Sequence, residues 1–170
     1  EALWEAGVPR DVLQLVDAVE GEAGKTLISH PDVERVVLTG AYETAQLFAS
    51  WDPERPLTAE TSGKNALVIT PSADRDQAVW DLVSSAFGHA GQKCSAASLG
   101  ILVGSVATSE RFRRQLVDAA SSMVVDWPVN LQATVGPTVE QPSEKLLRGL
   151  TQLEPGEEWL IEPKQLDDSG

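Results

Sequence analysis

The sequence predicts an α/β fold built on a parallel β-sheet. Apolar, β-branched runs typical of strands alternate with segments whose apolar residues recur at helical spacing, and this order is typical of parallel sheets. Apolar residues make up 42% of the chain, which fits a globular protein rather than a disordered one. The 170 residues are enough for one domain with a core or for parts of two domains.

The first 61 residues are predicted to alternate between helix and strand. Gly7 followed by Pro9 is typical of a helix stop, and the glycine at position 40 turns a strand into a helix. Residues 51–61 are rich in Pro, Asp and Glu, which indicates a connection and a domain boundary near residue 58. We expect a helix end at 2–6, a strand at 12–16, a helix at 22–28, a strand at 35–39 and a helix at 41–49.

The second part of the chain is predicted to continue the same alternation. Asp74 and Ser109 are expected to cap two amphipathic helices, the first of which runs until Gly88. Both ends look cut from a larger protein, since the chain opens within a helix and closes in a polar turn at 167–170. We expect a buried strand at 65–69, a strand at 99–103, a looser stretch at 126–142, a short helix at 146–150 and a strand at 159–161.

Composition excludes several classes of function. The net charge of −13 repels phosphate backbones, so we expect no nucleic-acid partner. No apolar run approaches the roughly 20 residues of a membrane span and no signal segment opens the chain, so we expect no membrane span and a cytoplasmic location. One cysteine and two separated histidines give no metal-ligand pattern, so we expect no metal.

The segment GHAGQKCSA at 88–96 carries the only thiol of the chain. Glycines let a backbone pass close to a ligand, and a neighbouring cation such as Lys93 favours a thiolate. On composition alone, the preferred alternative is that Cys94 is a buried small hydrophobe. His89, five positions earlier, leaves open a cysteine hydrolase or acyltransferase.

Five short motifs resemble the aldehyde dehydrogenase superfamily in the family's own order. GQKCSA at 91–96 is similar to its nucleophile loop, and AETSGKN at 59–65 is similar to the segment that bears its general base. LTG at 38–40 resembles the strand end and glycine turn beneath the cofactor, while GVP at 7–9 and GPTV at 136–139 resemble two further landmarks. The resemblance implies a parallel-sheet fragment with the C-terminal part of an NAD-binding domain at 1–58 and the N-terminal part of a catalytic domain at 59–170.

The same resemblance implies roles for individual residues. Cys94 would be the nucleophile and Glu60, held in apolar surroundings, the general base that activates water. Ser95 would bind the substrate carboxylate, although a serine bonded to its own loop is an equally good alternative. Ala41 departs from the serine that many relatives have after the glycine turn. The implied NAD-binding residues are Thr39, Gly40, Ala41 and Thr44.

Within the family, LTGAYET at 38–44 and ETSG at 60–63 look most like the L-glutamate γ-semialdehyde (1-pyrroline-5-carboxylate) dehydrogenases. Residues 140–170 resemble the dehydrogenase half of bacterial bifunctional proline-catabolic proteins, in which FAD belongs to a separate proline dehydrogenase module outside this chain. The resemblance implies oxidation of a small-molecule aldehyde, L-glutamate γ-semialdehyde, to L-glutamate with NAD, by a homo-oligomeric parent enzyme.

The family's oxyanion asparagine, ribose-binding lysine and ribose-binding glutamate have no counterpart in these residues. We therefore expect the isolated chain to be inactive. Two alternatives stay open: a non-catalytic structural or interaction module, and the cysteine hydrolase described above. The sequence also leaves open whether the isolated chain is a monomer or associates with itself.

Overall fold

The computed structural model describes residues 1–17 and 21–166, so the predicted polar turn at 167–170 lies outside the described residues. The chain divides into two compact units, Glu1–Ser62 and Gly63–Gly170, and in the described residues each has a two-stranded parallel sheet. The first unit contains α1 (Ala2–Glu5), α2 (Glu22–Ile28), β1 (Val36–Gly40), α3 (Tyr42–Trp51) and β2 (Leu57–Thr61). The second contains β3 (Ala66–Ile69), α4 (Arg75–Phe87), β4 (Leu99–Leu102), α5 (Glu110–Ser121) and α6 (Glu144–Thr151), with 3₁₀ segments at Gly88–Gly91 and Gly104–Val106. The predicted α/β class with parallel strands is confirmed.

Strands β1 and β2 pair in parallel with each other, and α3 connects them along the chain, which is a βαβ arrangement. The register places Thr39 opposite Glu60 and Gly40 opposite Thr61. Because the carboxyl ends of parallel strands meet at one edge of a sheet, these four residues share that edge. The prediction that residues 51–61 form a connection is wrong for Leu57–Thr61, because these residues pair with β1 and form strand β2 despite their polar sequence.

Residues 12–16, predicted as a strand, form turn and coil instead. The amides of Val12 and Leu13 both donate to the carbonyl of Pro9, at 3.1 and 3.2 Å. The Leu13 carbonyl in turn accepts from the Trp4 indole N–H at 2.9 Å. Because these main-chain groups are hydrogen-bonded within a tight turn, they are not available to pair with a neighbouring strand. The alternation of apolar residues is therefore not sufficient to form a strand here.

The second unit is organised around another βαβ arrangement, in which α4 connects the parallel strands β3 and β4. The pairing begins with Ala66 opposite Leu99. The Asp74 carboxylate caps α4 by accepting from the amides of Asp76 and Gln77, at 3.0 and 3.1 Å. The predicted cap is therefore confirmed, and it stabilises the start of α4.

The core of the second unit lies where β3, α4 and α5 meet. Phe112 on α5 is 1% exposed, and the Ser109 hydroxyl caps this helix by accepting from the Phe112 amide at 3.3 Å, as predicted. Within β3 itself only Ile69 is buried, so the prediction of a fully buried strand is wrong for the rest of it. The buried cluster consists of Ile69, Ala78, Val79, Val106 and Phe112.

After α5, a loop is closed by an isolated parallel bridge between Val125 and Val135. Within it, the Asp126 carboxylate accepts from the Asn130 side-chain amide at 2.9 Å and from the Trp127 main-chain N–H at 2.7 Å. The Asn130 bond first, and then the Trp127 bond, hold the pKa of Asp126 below its ordinary value because both favour the ionised carboxylate.

The predicted strand at 159–161 is wrong, since these residues form bend and coil. Next to them Glu158 forms an ion pair with Arg113 of α5 at 2.8 Å, so this part of the chain is attached by a side chain rather than by a ladder. The predicted short helix at 146–150 is confirmed as part of α6.

Large apolar side chains are unusually exposed on both units. Leu15 is 86% exposed in the first unit, and Val129, Leu131 and Val139 are 88%, 96% and 85% exposed in the second. Across residues 1–17 and 21–166, no helix has both the length and the apolar character needed to cross a membrane.

Candidate active site

Cys94 lies in the loop between α4 and β4, and its side chain is exposed. The alternative that it is a buried small hydrophobe is therefore wrong for this chain. A turn surrounds it, in which the Ala96 amide donates to the Lys93 carbonyl at 3.0 Å. Ser95, the predicted substrate-binding residue, occupies the same turn and is also exposed. Cys94 and Ser95, the candidates for the nucleophile and for substrate binding, are therefore both exposed in the same turn.

A left-handed turn precedes the cysteine. His89, Ala90 and Gly91 have φ values of 54°, 56° and 69°. Non-glycine residues in this region cost about 1–2 kcal/mol each, so the surrounding contacts must hold the turn in place. A Cβ on Gly91 would lie 2.9 Å from the carbonyl oxygen of Ala86, which explains the glycine at this position.

The side-chain amide of Asn65 holds the loop on the downstream side of the thiol. Its Nδ2 donates to the Cys94 carbonyl at 2.6 Å and to the Ala96 carbonyl at 3.0 Å. The Asn65 main-chain carbonyl accepts from the amides of Ser98 and Leu99, at 3.0 and 3.2 Å. Asn65 therefore joins the start of the β3–β4 ladder to the loop that carries the thiol.

The side-chain amide of Gln92 holds the loop on the upstream side. Its Nε2 donates to the carbonyls of His89 and Pro137, at 3.1 and 3.3 Å, while its Oε1 accepts from the Val139 amide at 2.8 Å. Both amide residues lie within the motifs AETSGKN and GQKCSA, but neither was predicted to have a role. The available signal was an amide two positions before the thiol for Gln92 and membership of the AETSGKN motif for Asn65, and their partners could not be identified without the fold.

Glu60, the predicted general base, lies on β2 beside the predicted cofactor residues of β1. It pairs in register with Thr39, next to Gly40, at the carboxyl edge of the first sheet. Its side chain is exposed in the first unit. The apolar surroundings expected for Glu60 are therefore not found there, because its two-stranded sheet leaves this edge open.

The turn from β1 into α3 offers an accessible helix N-terminus. Thr39, Gly40 and Ala41 are exposed, Thr44 is half-buried, and the Ala41 carbonyl accepts from the Thr44 amide at 3.1 Å. Free amides of a first helical turn attract anions, but here the Tyr42 amide already donates to the Ser62 hydroxyl at 3.4 Å, and the carboxylate of Glu43 in the same turn opposes a phosphate. These residues fit one contact of a dinucleotide, through amides and hydroxyls, rather than a complete site.

Within the described part of the chain, no three His, Cys, Asp or Glu residues come together as a possible metal site.

A model of the aldehyde dehydrogenase family matches residues 1–162. The chain therefore belongs to the aldehyde dehydrogenase family, as its motifs predicted.

Three proteins show how this chain relates to the family. It is similar to Proline Utilization A (PutA) from Corynebacterium freiburgense, with a TM-score of 0.92 and 54% identity over 99% of this chain and 17% of that one. It is 29% identical to the 1-pyrroline-5-carboxylate dehydrogenase of Geobacillus thermodenitrificans (strain NG80-2), over 99% of this chain and 34% of that protein. A putative methylmalonate-semialdehyde dehydrogenase from Sinorhizobium meliloti 1021, complexed with NAD, is 29% identical with a TM-score of 0.77, over 87% of this chain and 30% of that one. The chain thus spans about a third or less of the proteins it matches.

Proposed function

We propose that this chain is part of an NAD-dependent enzyme that oxidises L-glutamate γ-semialdehyde to L-glutamate in proline degradation. The observation that carries the proposal is the exposed thiol of Cys94, held in a loop by two side-chain amides, in a chain that aligns over 99% of its length with a 1-pyrroline-5-carboxylate dehydrogenase. An exposed, positioned thiol is what addition to an aldehyde requires.

In the proposed mechanism, the Cys94 thiolate forms a bond to the aldehyde carbon, and the carbonyl electrons move to oxygen. The Cys94 main-chain N–H donates a hydrogen bond to this oxyanion. When bound, NAD would supply the acceptor for the hydride that leaves the thiohemiacetal carbon. As the C–O double bond re-forms, a thioester remains on Cys94.

Glu60 is proposed to complete the reaction by accepting a proton from water that attacks the thioester. Hydrolysis breaks the carbon–sulfur bond, releases the carboxylate product and returns the thiolate. The position of Glu60 beside Thr39, at the carboxyl edge of the parallel pair, supports this role, since ligands of open α/β sheets bind at that edge. Ser95 is proposed to bind the substrate carboxylate.

The cofactor contact is proposed to be made by Thr39, Gly40, Ala41 and Thr44, with residues 1–58 belonging to an NAD-binding domain and 59–170 to a catalytic domain. Because this turn fits only one dinucleotide contact, we propose that residues 1–170 alone are inactive. A homo-oligomeric, cytoplasmic parent, with FAD confined to a separate proline dehydrogenase module, completes the proposal. The exposed apolar residues support a longer parent, because faces this apolar are usually covered.

The test uses the full-length polypeptide that contains this chain, with NADH formation as the readout. Wild type should oxidise L-glutamate γ-semialdehyde, and Cys94→Ala should abolish this activity. Glu60→Gln should give a burst of about one NADH per active site and then stall, because the amide cannot activate water and the thioester persists.

His89→Ala is the matched control, since it changes a polar residue of the same loop and should retain activity. Loss of activity in His89→Ala, together with NAD-independent ester cleavage by wild type, would support the cysteine hydrolase instead. A full-length wild type that neither binds NAD nor consumes aldehyde would support a non-catalytic module.

A further inference from the structure

We infer that Asn65 is a positioning residue that fixes Ser95 relative to Cys94 and thereby sets the preference for aldehydes that carry a carboxylate. The inference rests on the proposed function, because it assigns an effect to the same site. It adds a residue whose side-chain amide bonds the main-chain carbonyls of Cys94 and Ala96, and which acts through the main chain around Ser95.

The geometry of the Asn65 amide leaves one chemical assignment. Both of its partners, at 2.6 and 3.0 Å, are carbonyl oxygens, of Cys94 and Ala96. Only the NH₂ group of an asparagine side chain donates, so this group must face the loop. One NH₂ group with two protons is thereby used fully by two carbonyls, and the main chains of Ser95 and Ala96 lie between these carbonyls.

Holding the carbonyls at both ends of the Ser95–Ala96 segment restricts the main chain of both residues. The Cys94 carbonyl belongs to the peptide that enters Ser95, and the Ala96 carbonyl lies one peptide beyond that of Ser95. With both held by one planar amide, the main-chain rotations between them are coupled. The direction in which the Ser95 side chain leaves the loop is therefore set relative to Cys94.

Asn65 can act as a fixed reference because its own main chain is held. Its carbonyl accepts from the amides of Ser98 and Leu99, where the β3–β4 ladder begins. Asn65 is exposed and its bond to the Ala96 carbonyl is part-buried, so each of its two hydrogen bonds is expected to contribute only modestly to stability. A change at Asn65 should therefore alter loop geometry more than folding.

The consequence for substrate choice follows from distance. An aldehyde with a carboxylate several bonds away must satisfy the thiol and the Ser95 hydroxyl together, whereas an uncharged aldehyde needs only the thiol. A more mobile loop slows attack by the Cys94 thiol on both aldehydes. Only the aldehyde with a carboxylate also loses the correct spacing between the thiol and the Ser95 hydroxyl.

The experiment measures kcat/KM of the full-length protein for L-glutamate γ-semialdehyde and for pentanal, an uncharged aldehyde of the same chain length. In Asn65→Ala we expect kcat/KM to fall about a hundredfold for L-glutamate γ-semialdehyde and about tenfold for pentanal. The preference for the first substrate over the second therefore falls about tenfold. Asn65→Asp, which turns an acceptor toward two carbonyls, should lose at least as much. The matched control is Asn130→Ala, since Asn130 bonds Asp126 in a loop that carries no candidate site residue.

A double-mutant cycle with Ser95→Ala shows whether Asn65 acts through Ser95. If it does, adding Asn65→Ala to Ser95→Ala should leave the substrate preference unchanged. A further drop in preference in the double variant, or equal losses for both aldehydes in Asn65→Ala, would overturn the inference while the proposed function stands. A wild type inactive with both aldehydes would overturn the proposed function and the inference with it.

A spectroscopic readout tests the contact itself on the 170-residue chain. The Asn65 side-chain NH₂ should exchange with solvent more slowly than that of Asn130, which has one acceptor. In Asn65→Ala, backbone order parameters at 94–96 should fall from about 0.85 toward 0.6. Order parameters that do not change would contradict the positioning role even if activity fell.

Discussion

Replacing Gly91 by alanine is expected to displace the turn that precedes Cys94. Gly91 has φ +69°, and a Cβ there would lie 2.9 Å from the Ala86 carbonyl oxygen. This oxygen belongs to the main chain of α4, so it cannot move aside as the end of a flexible side chain would. The substitution therefore meets an unfavourable backbone conformation and a steric conflict together.

Three contributions determine the size of the effect. An L-residue in the left-handed region costs about 1–2 kcal/mol, and the close contact adds about 1–3 kcal/mol. Alanine also restricts the unfolded chain, which favours folding by about 0.4–1 kcal/mol. The net loss in unfolding free energy is about 1–5 kcal/mol, concentrated in the loop that presents the thiol.

Gly88→Ala is the matched control, because it makes the same chemical change three positions earlier. Gly88 has φ −54° and ψ 135°, and a Cβ there would have no atom within 4 Å. Urea unfolding followed by circular dichroism measures stability, and hydrogen exchange by mass spectrometry measures the loop at 88–98. Identical urea midpoints and identical loop exchange in the two variants would refute the argument from the Gly91 geometry.

Two further predictions concern stability. Phe112→Ala should destabilise the second unit by about 3–5 kcal/mol because the side chain is 1% exposed, whereas Phe87→Ala, at 46% exposed, should cost clearly less; hydrogen exchange across α5 distinguishes them. The pKa of Asp126 is lowered in the folded protein, so its carboxylate stabilises the folded loop at pH values above the ordinary pKa of 3.8. This contribution is lost as the pH falls through the lower pKa of the folded state. The NMR chemical shift of the Trp127 amide, followed against pH, should show this transition below pH 3.8. Loss of the transition in Asp126→Asn would assign it to the Asp126 carboxylate, and a midpoint at or above pH 3.8 would contradict the expectation.

The helices were predictable because their signals are local. Asp74 and Ser109 cap α4 and α5 through hydrogen bonds to residues two or three positions away, and α2 has the predicted bounds. Strands depend on a partner, and the strand predictions at 12–16 and 159–161 failed for this reason. Strand β2 was missed because its polar sequence gives no signal until β1 lies beside it.

The sequence by itself determined which chemical groups are present and in which order: one thiol within a glycine-rich segment, a serine after it, and a carboxylate 34 positions earlier at Glu60. Only the tertiary structure decided that Cys94 is exposed, that Asn65 reaches carbonyls 29 and 31 positions away, and that Gln92 bonds to Val139, 47 positions away. The physical reason is that a hydrogen bond needs its atoms within about 3 Å and in line. Parallel pairing of β3 with β4 and packing of the loop create that proximity, which spacing along the chain does not.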